Sequence, residues 1–211
     1  MNRTKNNIIV VLLALSIYSC QQQQQQEARR PISQASGSFM KKSIDRNKKL
    51  VASEEDQIQA VIKKNAAIEF LASKKGYWYH VSNKNITDTL TPKKGDIAFF
   101  DYEVKDLKGN IIYTKEETQP QTYYVDKQNI MMGLRDGIKL MHKKETFVFM
   151  FPSHMSYGYH GDNKKIGTNV PLLCTVTLNN FMSELEFKKQ EAQKTKALLP
   201  QKTIVKDTLQ Q

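Results

Sequence analysis

The chain has 211 residues, with 32 lysines and arginines against 21 aspartates and glutamates, which gives a formal net charge of +11. Its 39% of hydrophobic residues can bury one modest core, so the length predicts one domain with extensions or two small domains. The lysines are scattered and form no aromatic-interleaved patch, which argues against a nucleic-acid-binding protein. The basic surface is interpreted as a solvated face, with attraction to anionic membrane or cell-wall polymer as the alternative.

Residues 1–19 have the pattern of a lipoprotein signal peptide. Arg3 and Lys5 precede an apolar run, 8–17, that is too short to span a bilayer as a stable helix. Cys20 follows this run after Tyr18 and Ser19, and the segment that ends at Cys20 resembles a bacterial lipobox. The resemblance implies cleavage before Cys20 and diacylation of its thiol, and two acyl chains are enough for stable attachment to a lipid bilayer. An uncleaved anchor, or a signal cut elsewhere, is the alternative.

The two cysteines, Cys20 and Cys174, are interpreted differently. Lipidation of Cys20 would leave Cys174 without a partner for an internal disulfide, and its place in an apolar strand predicts an inert core thiol. Gln21 carries no acidic signal for retention in the inner membrane, which favours the periplasmic side of the outer membrane. The four histidines have no metal-ligand spacing, so no metal is predicted and no cofactor is expected.

A polar, glutamine-rich tether is predicted over residues 20–52, followed by an amphipathic helix from Ser53 to Gly76. Ser53 would cap this helix, which either packs on its own domain or pairs with a second copy. The helix and a short strand together form the predicted region 53–92. Residues 184–211 are a polar tail, helical in part, with no assigned function.

Most of the remaining chain has the alternation of β-strands. Phe100, Tyr102 and Val104 would share one face of a half-buried strand, with Phe99, Asp101 and Glu103 on the other. Strands are predicted over 77–82, 97–104, 111–114, 121–125, 145–151 and 172–181, with one short helix over 129–141. This order predicts an α+β fold in which an antiparallel sheet covers one helix.

Residues 95–181 resemble the FKBP family of peptidyl-prolyl isomerases. The resemblance is carried by Gly95–Asp96, Tyr102, Lys108–Asn110, 130–141, Pro152, 156–161 and 166–178, in that order. It implies an FKBP-like domain over 93–183, with five to six antiparallel strands wrapped around the short helix. With the lipobox and the upstream helix, the chain is similar to the gliding-motility-associated isomerase lipoproteins of Bacteroidetes.

The resemblance also implies a proline-binding pocket. Tyr102 and Tyr157 correspond to the catalytic tyrosines, the second of which would offer its hydroxyl to a substrate carbonyl. The substrate-binding positions correspond to Ile112, Ile130, Met131, Leu134, Ile166 and Cys174. Three departures stand out: Tyr113 replaces the aspartate that bonds the first tyrosine, Leu134 replaces a floor tryptophan, and Cys174 replaces a wall phenylalanine.

Two functions follow from this reading. The first is a membrane-anchored prolyl isomerase that acts on proline-containing segments of exported proteins, including components of gliding motility. The second is a catalytically weak peptide-binding or assembly module of the cell envelope, which the three departures favour. The sequence leaves the client and the oligomeric state open.

Overall fold

The computed structural model describes residues 36–198. The predicted signal peptide, the predicted lipidation site at Cys20, the start of the predicted tether and the end of the predicted tail lie outside these residues. Contacts divide the chain into units 1–44 and 45–211, so the described part of the first unit is only the beginning of a helix. Within residues 36–198, no helix combines the length and the apolar character needed to cross a bilayer.

Four helices and seven strands make up the described chain. The helices are α1 (Ser36–Lys64), α2 (Lys115–Thr118), α3 (Met132–Gly137) and α4 (Glu184–Leu198). The strands are β1 (Leu71–Ala72), β2 (Trp78–Asn83), β3 (Asp96–Asp106), β4 (Ile111–Tyr113), β5 (Gln121–Tyr124), β6 (Thr146–Phe151) and β7 (Leu172–Ser183). The α+β prediction is confirmed, and the strand beyond the expected five or six is the two-residue β1.

The prediction for the first helix was wrong at both ends. The helix begins at Ser36, inside the predicted tether, because residues 36–52 contain no proline and mostly residues that tolerate a helix. It ends at Lys64, where the side chain of Asn65 donates to the carbonyl of Val61 at 2.8 Å. The following residues turn back and place β1 beside β2. Lys63 and Lys64 in the last turn suit the negative end of the helix dipole.

The seven strands form one antiparallel sheet in the order β1-β2-β6-β7-β3-β4, with β5 also paired to β3. The last strand, β7, lies between β6 and β3 and pairs with β3 from Leu172 to Ser183. Along its other edge, β3 pairs first with β5 and then with β4. This arrangement leaves room for the segment 125–131 and α3 beside the sheet.

Two glycines allow α3 to pack very close to the sheet. A Cβ atom on Gly133 would lie 2.4 Å from the ring of Phe151, and one on Gly137 would lie 2.8 Å from the ring of Phe149. Carbon atoms normally approach only to about 3.5–4.0 Å, so neither position accepts a larger side chain without movement. The presence of two glycines in this short helix therefore has a structural reason, which is close contact with β6.

Candidate functional site

An open cavity of about 550 Å³ lies between α3, the sheet and the loop that follows β6. Five of the predicted site residues line it: Tyr102, Ile130, Met131, Leu134 and Tyr157. Leu134 is buried, while Ile130 and Met131 lie at the approach to α3 and are half-buried. The fold therefore brings together at this cavity the predicted tyrosine from β3, the predicted tyrosine from the loop and three predicted apolar residues from the helix region.

The loop 152–171 holds Tyr157 at the cavity through two short 3₁₀ turns, Ser153–Met155 and Gly158–His160. Gly158 and Gly161 have φ values of +59° and +65°, which L-residues with a Cβ rarely adopt. A Cβ on Gly161 would also lie 2.2 Å from the carbonyl oxygen of Ile166. These two glycines therefore permit the turns of the backbone around Tyr157.

The two tyrosine hydroxyls are coupled. Burial raises the pKa of Tyr157 well above its usual value, and the neighbouring Tyr102 adds to the rise. Burial likewise raises the pKa of Tyr102 and the nearby Cys174 adds to it, whereas a hydrogen bond from Tyr157 opposes the rise. Tyr157 therefore lies close to Tyr102, which lacks the aspartate expected from the family. Both hydroxyls stay protonated at neutral pH and can each donate one hydrogen bond.

The other three predicted binding residues lie deeper. Cys174 is fully buried in β7 and Ile166 is almost fully buried, while Ile112 packs against the same core from β4. None of the three is among the residues that line the cavity. Burial raises the pKa of the Cys174 thiol far above its normal range, which fits the prediction of an inert core thiol.

Polar side chains that the sequence reasoning missed complete the cavity wall. They are Gln121 from β5, Asn129, Arg135 from α3, and His154 and Ser156 from the loop. Arg135 also lies 3.6 Å from the carboxylate of Asp126. Gln121, Asn129 and His154 lie outside the family-like segments, and Arg135 and Ser156 lie inside them at positions to which no role was assigned.

Asp162 holds the far side of the loop together. The sequence showed only that Tyr113 replaces an aspartate of the family, and it gave no role to Asp162. The hydroxyl of Tyr113 donates to Asp162, which also accepts the backbone N–H groups of Lys164 and Ile166, each at 2.8 Å. Burial acts to raise the pKa of Asp162, but these three hydrogen bonds outweigh it and hold the pKa below its usual value. A second, smaller cavity of about 250 Å³ lies beside Tyr102, Tyr113, Tyr157 and Asp162.

Comparison with known proteins agrees with this geometry. Residues 88–179 match the sequence model of the FKBP-type peptidyl-prolyl cis-trans isomerase family. The match supports an FKBP-type peptidyl-prolyl isomerase domain in this part of the chain. The matched segment of the FKBP-type domain includes β3 to β6 and most of β7, and therefore all the residues that line the large cavity.

The fold of the FKBP-type domain is also found in a solved bacterial enzyme. The structure is similar to the crystal structure of a peptidyl-prolyl cis-trans isomerase from Pseudomonas syringae pv. tomato, with a TM-score of 0.53 and 17% sequence identity. The similarity covers 64% of this chain and 96% of the other. No curated protein matches the sequence. The FKBP-like fold predicted from the sequence is therefore confirmed.

Proposed function

We propose that this protein is a membrane-anchored peptidyl-prolyl cis-trans isomerase that helps exported proteins to fold. The observation that carries the proposal is the open cavity lined by Tyr102, Ile130, Leu134 and Tyr157 within the FKBP-type domain. Its volume of about 550 Å³ falls in the range of about 300–1,000 Å³ that is usual for small-ligand pockets. A proline ring and its neighbouring carbonyl fit such a space.

The chemistry needs only a shaped and partly dry surface. The barrier to rotation about an amide bond is about 18–20 kcal/mol, because resonance gives the C–N bond partial double-bond character. Twisting removes the resonance and makes the amide less polar, so the apolar side chains of Ile130 and Leu134 favour the twisted state over the planar one. A thousandfold acceleration requires about 4 kcal/mol. No nucleophile or acid–base pair is needed.

Hydrogen bonds would hold the peptide on either side of the proline. The first N–H groups of a helix have no partner within it, so the amides at the start of α3, next to Met131, are suited to bind a peptide carbonyl. The hydroxyl of Tyr157 lies close to Tyr102 at the cavity. Because a hydroxyl hydrogen can rotate, Tyr157 can donate it to a substrate carbonyl.

The location and clients belong to the same proposal. Lipidation of Cys20 would place the domain on the periplasmic side of the outer membrane, where it would meet proline-containing segments of exported chains. Components of gliding motility are included among these clients because the sequence resembles the isomerase lipoproteins associated with that process. The support for this part is the sequence pattern of residues 1–21.

A second candidate is a peptide-binding or assembly module with weak turnover. It is favoured by Leu134, which stands where the family has a tryptophan at the floor of the cavity. Such a domain would grip extended segments without accelerating their isomerisation.

The test is the cis-to-trans rate of an Xaa-Pro peptide with the wild type, Tyr157→Phe and Tyr159→Phe. Loss of one hydrogen bond costs about 1 kcal/mol, so we expect Tyr157→Phe to lower kcat/KM roughly fivefold. Tyr159 lies in the same loop but is 72% exposed and does not line the cavity, so Tyr159→Phe should keep the wild-type rate. A wild type that binds unfolded chains without accelerating the peptide would support the second candidate instead.

A further inference from the structure

A buried carboxylate joins α1 to the loop that carries Tyr157. Glu54 on α1 is only 2% exposed. One of its oxygens accepts the backbone N–H of Ser153 at 2.8 Å, and the other accepts the Ser153 hydroxyl at 2.7 Å. Helix α1 lies outside residues 88–179, the segment that matches the family. The contact therefore ties a segment outside the family match to the FKBP-type domain.

Burial of a carboxylate is costly unless hydrogen bonds replace the lost water. Here both oxygens are satisfied by one residue, and bonds to a charged acceptor are stronger than those between neutral groups. Ile58, one turn further along the same face of α1, is fully buried and already provides apolar contact. Packing alone would therefore be served as well by an apolar residue, and Glu54 is explained by what it does to Ser153.

Ser153 in turn sets the conformation of the next residues. Its carbonyl accepts both the N–H and the hydroxyl of Ser156, each at 3.0 Å. Ser156 lines the large cavity and directly precedes Tyr157. A continuous set of hydrogen bonds thus runs from Glu54 through Ser153 to the residue beside Tyr157.

We propose that Glu54 is a positioning residue for the candidate site. By holding Ser153 in place, Glu54 keeps the 3₁₀ turn Ser153–Met155 formed and Tyr157 at the cavity. The helix that precedes the FKBP-type domain is then a working part of the site. The consequence for catalysis rests on the proposed function, whereas the effect on loop order does not.

The experiment compares the full chain carrying Glu54→Gln with the wild type and with Asp56→Asn. The first change removes the charge and one of two acceptor oxygens at nearly constant shape, and the control removes the same charge at an exposed position on the same helix. Hydrogen exchange is measured at the amides of Ser153 and Ser156 and at those of β3 and β7. We expect at least tenfold faster exchange at the two loop amides in Glu54→Gln, with the sheet amides and Asp56→Asn unchanged.

Activity provides the second readout. If the wild type accelerates an Xaa-Pro peptide, Glu54→Gln should lower kcat/KM about tenfold, which corresponds to about 1.4 kcal/mol. If the wild type is inactive, the proposed function fails, but the exchange rates still decide the role of Glu54. The proposed role of Glu54 would be overturned if the exchange rates of the two loop amides stayed unchanged, or if the loop and sheet amides exchanged faster by the same factor.

Ser153→Ala covers the case in which Glu54→Gln does not fold. This variant removes the hydrogen bond from the Ser153 hydroxyl and keeps the hydrogen bond from the Ser153 backbone N–H to Glu54. The buried carboxylate on α1 therefore keeps one hydrogen-bond donor. Exchange at the Ser156 amide should rise about threefold, in keeping with the loss of one of two bonds. Exchange equal to that of the wild type would count against the inference.

Discussion

Gly133→Ala tests whether the close packing of α3 on the sheet maintains the cavity. The new Cβ would lie 2.4 Å from two ring carbons of Phe151, so the ring or the helix must move by more than about 1 Å to restore normal contact. Phe151 cannot turn away easily, because it is fully buried, stacked on Phe149 and edge-on to Tyr77. Overpacking of this kind costs up to about 3 kcal/mol.

Helix propensity works in the opposite direction. Alanine is favoured over glycine inside a helix by about 1 kcal/mol, so the net loss expected for Gly133→Ala is about 2 kcal/mol. For a folded region of this size, that loss lowers Tm by roughly 4–8 °C in calorimetry or circular dichroism. Gly137→Ala, with a milder contact of 2.8 Å, should lose about half as much.

Gly167→Ala is the matched control. Gly167 is exposed, and its Cβ would meet only the side chain of Val170 at 3.9 Å, so stability should change by less than about 0.5 kcal/mol. A Tm for Gly133→Ala equal to or above that of the wild type would refute the packing argument. It would mean that α3 and β6 separate at little cost, and that the cavity wall is softer than its contacts indicate.

Two further predictions concern the tyrosine pair and the anchor. Because the pKa values of Tyr102 and Tyr157 are raised, kcat/KM should stay constant from about pH 7.5 to 9. The stability that the neutral hydroxyls contribute should be lost only as the pH rises above the ordinary tyrosine pKa of about 10. A marked loss of activity or stability already at about pH 9 would contradict this prediction. Cys20→Ser in the full precursor should move the protein from the membrane fraction to the soluble fraction, and continued membrane association after this change would count against lipidation.

The core of the fold could be predicted from the sequence because its signals are local. Alternation placed Phe100 and Val104 on the buried face of β3, and both are indeed buried. The same reasoning found the short helix before β6, although its α-helical part begins only at Met132. The ordered set of family-like segments then placed Tyr102, Leu134 and Tyr157 at one cavity, which no single segment could have done.

The contacts that were missed all depend on tertiary structure. The hydrogen bonds between Glu54 and Ser153 join residues 99 positions apart, and no sequence pattern near either residue predicts them. The role of Asp162 was missed as well, because it accepts the hydroxyl of Tyr113, which lies 49 positions earlier in the chain. The ends of α1 were misjudged because Ser53 looks like a helix cap, but the residues before it favour a helix equally well.

The position of β7 has a consequence for how the chain is made. The neighbours of β7, which are β6 and β3, are not paired with each other in the sheet of the described residues, so the two halves of this sheet are joined through β7. Until residue 183 has left the ribosome, the two halves lack the strand that pairs with both of them. Such long-range pairing slows folding. The complete sheet can therefore form only after β7 has been synthesised.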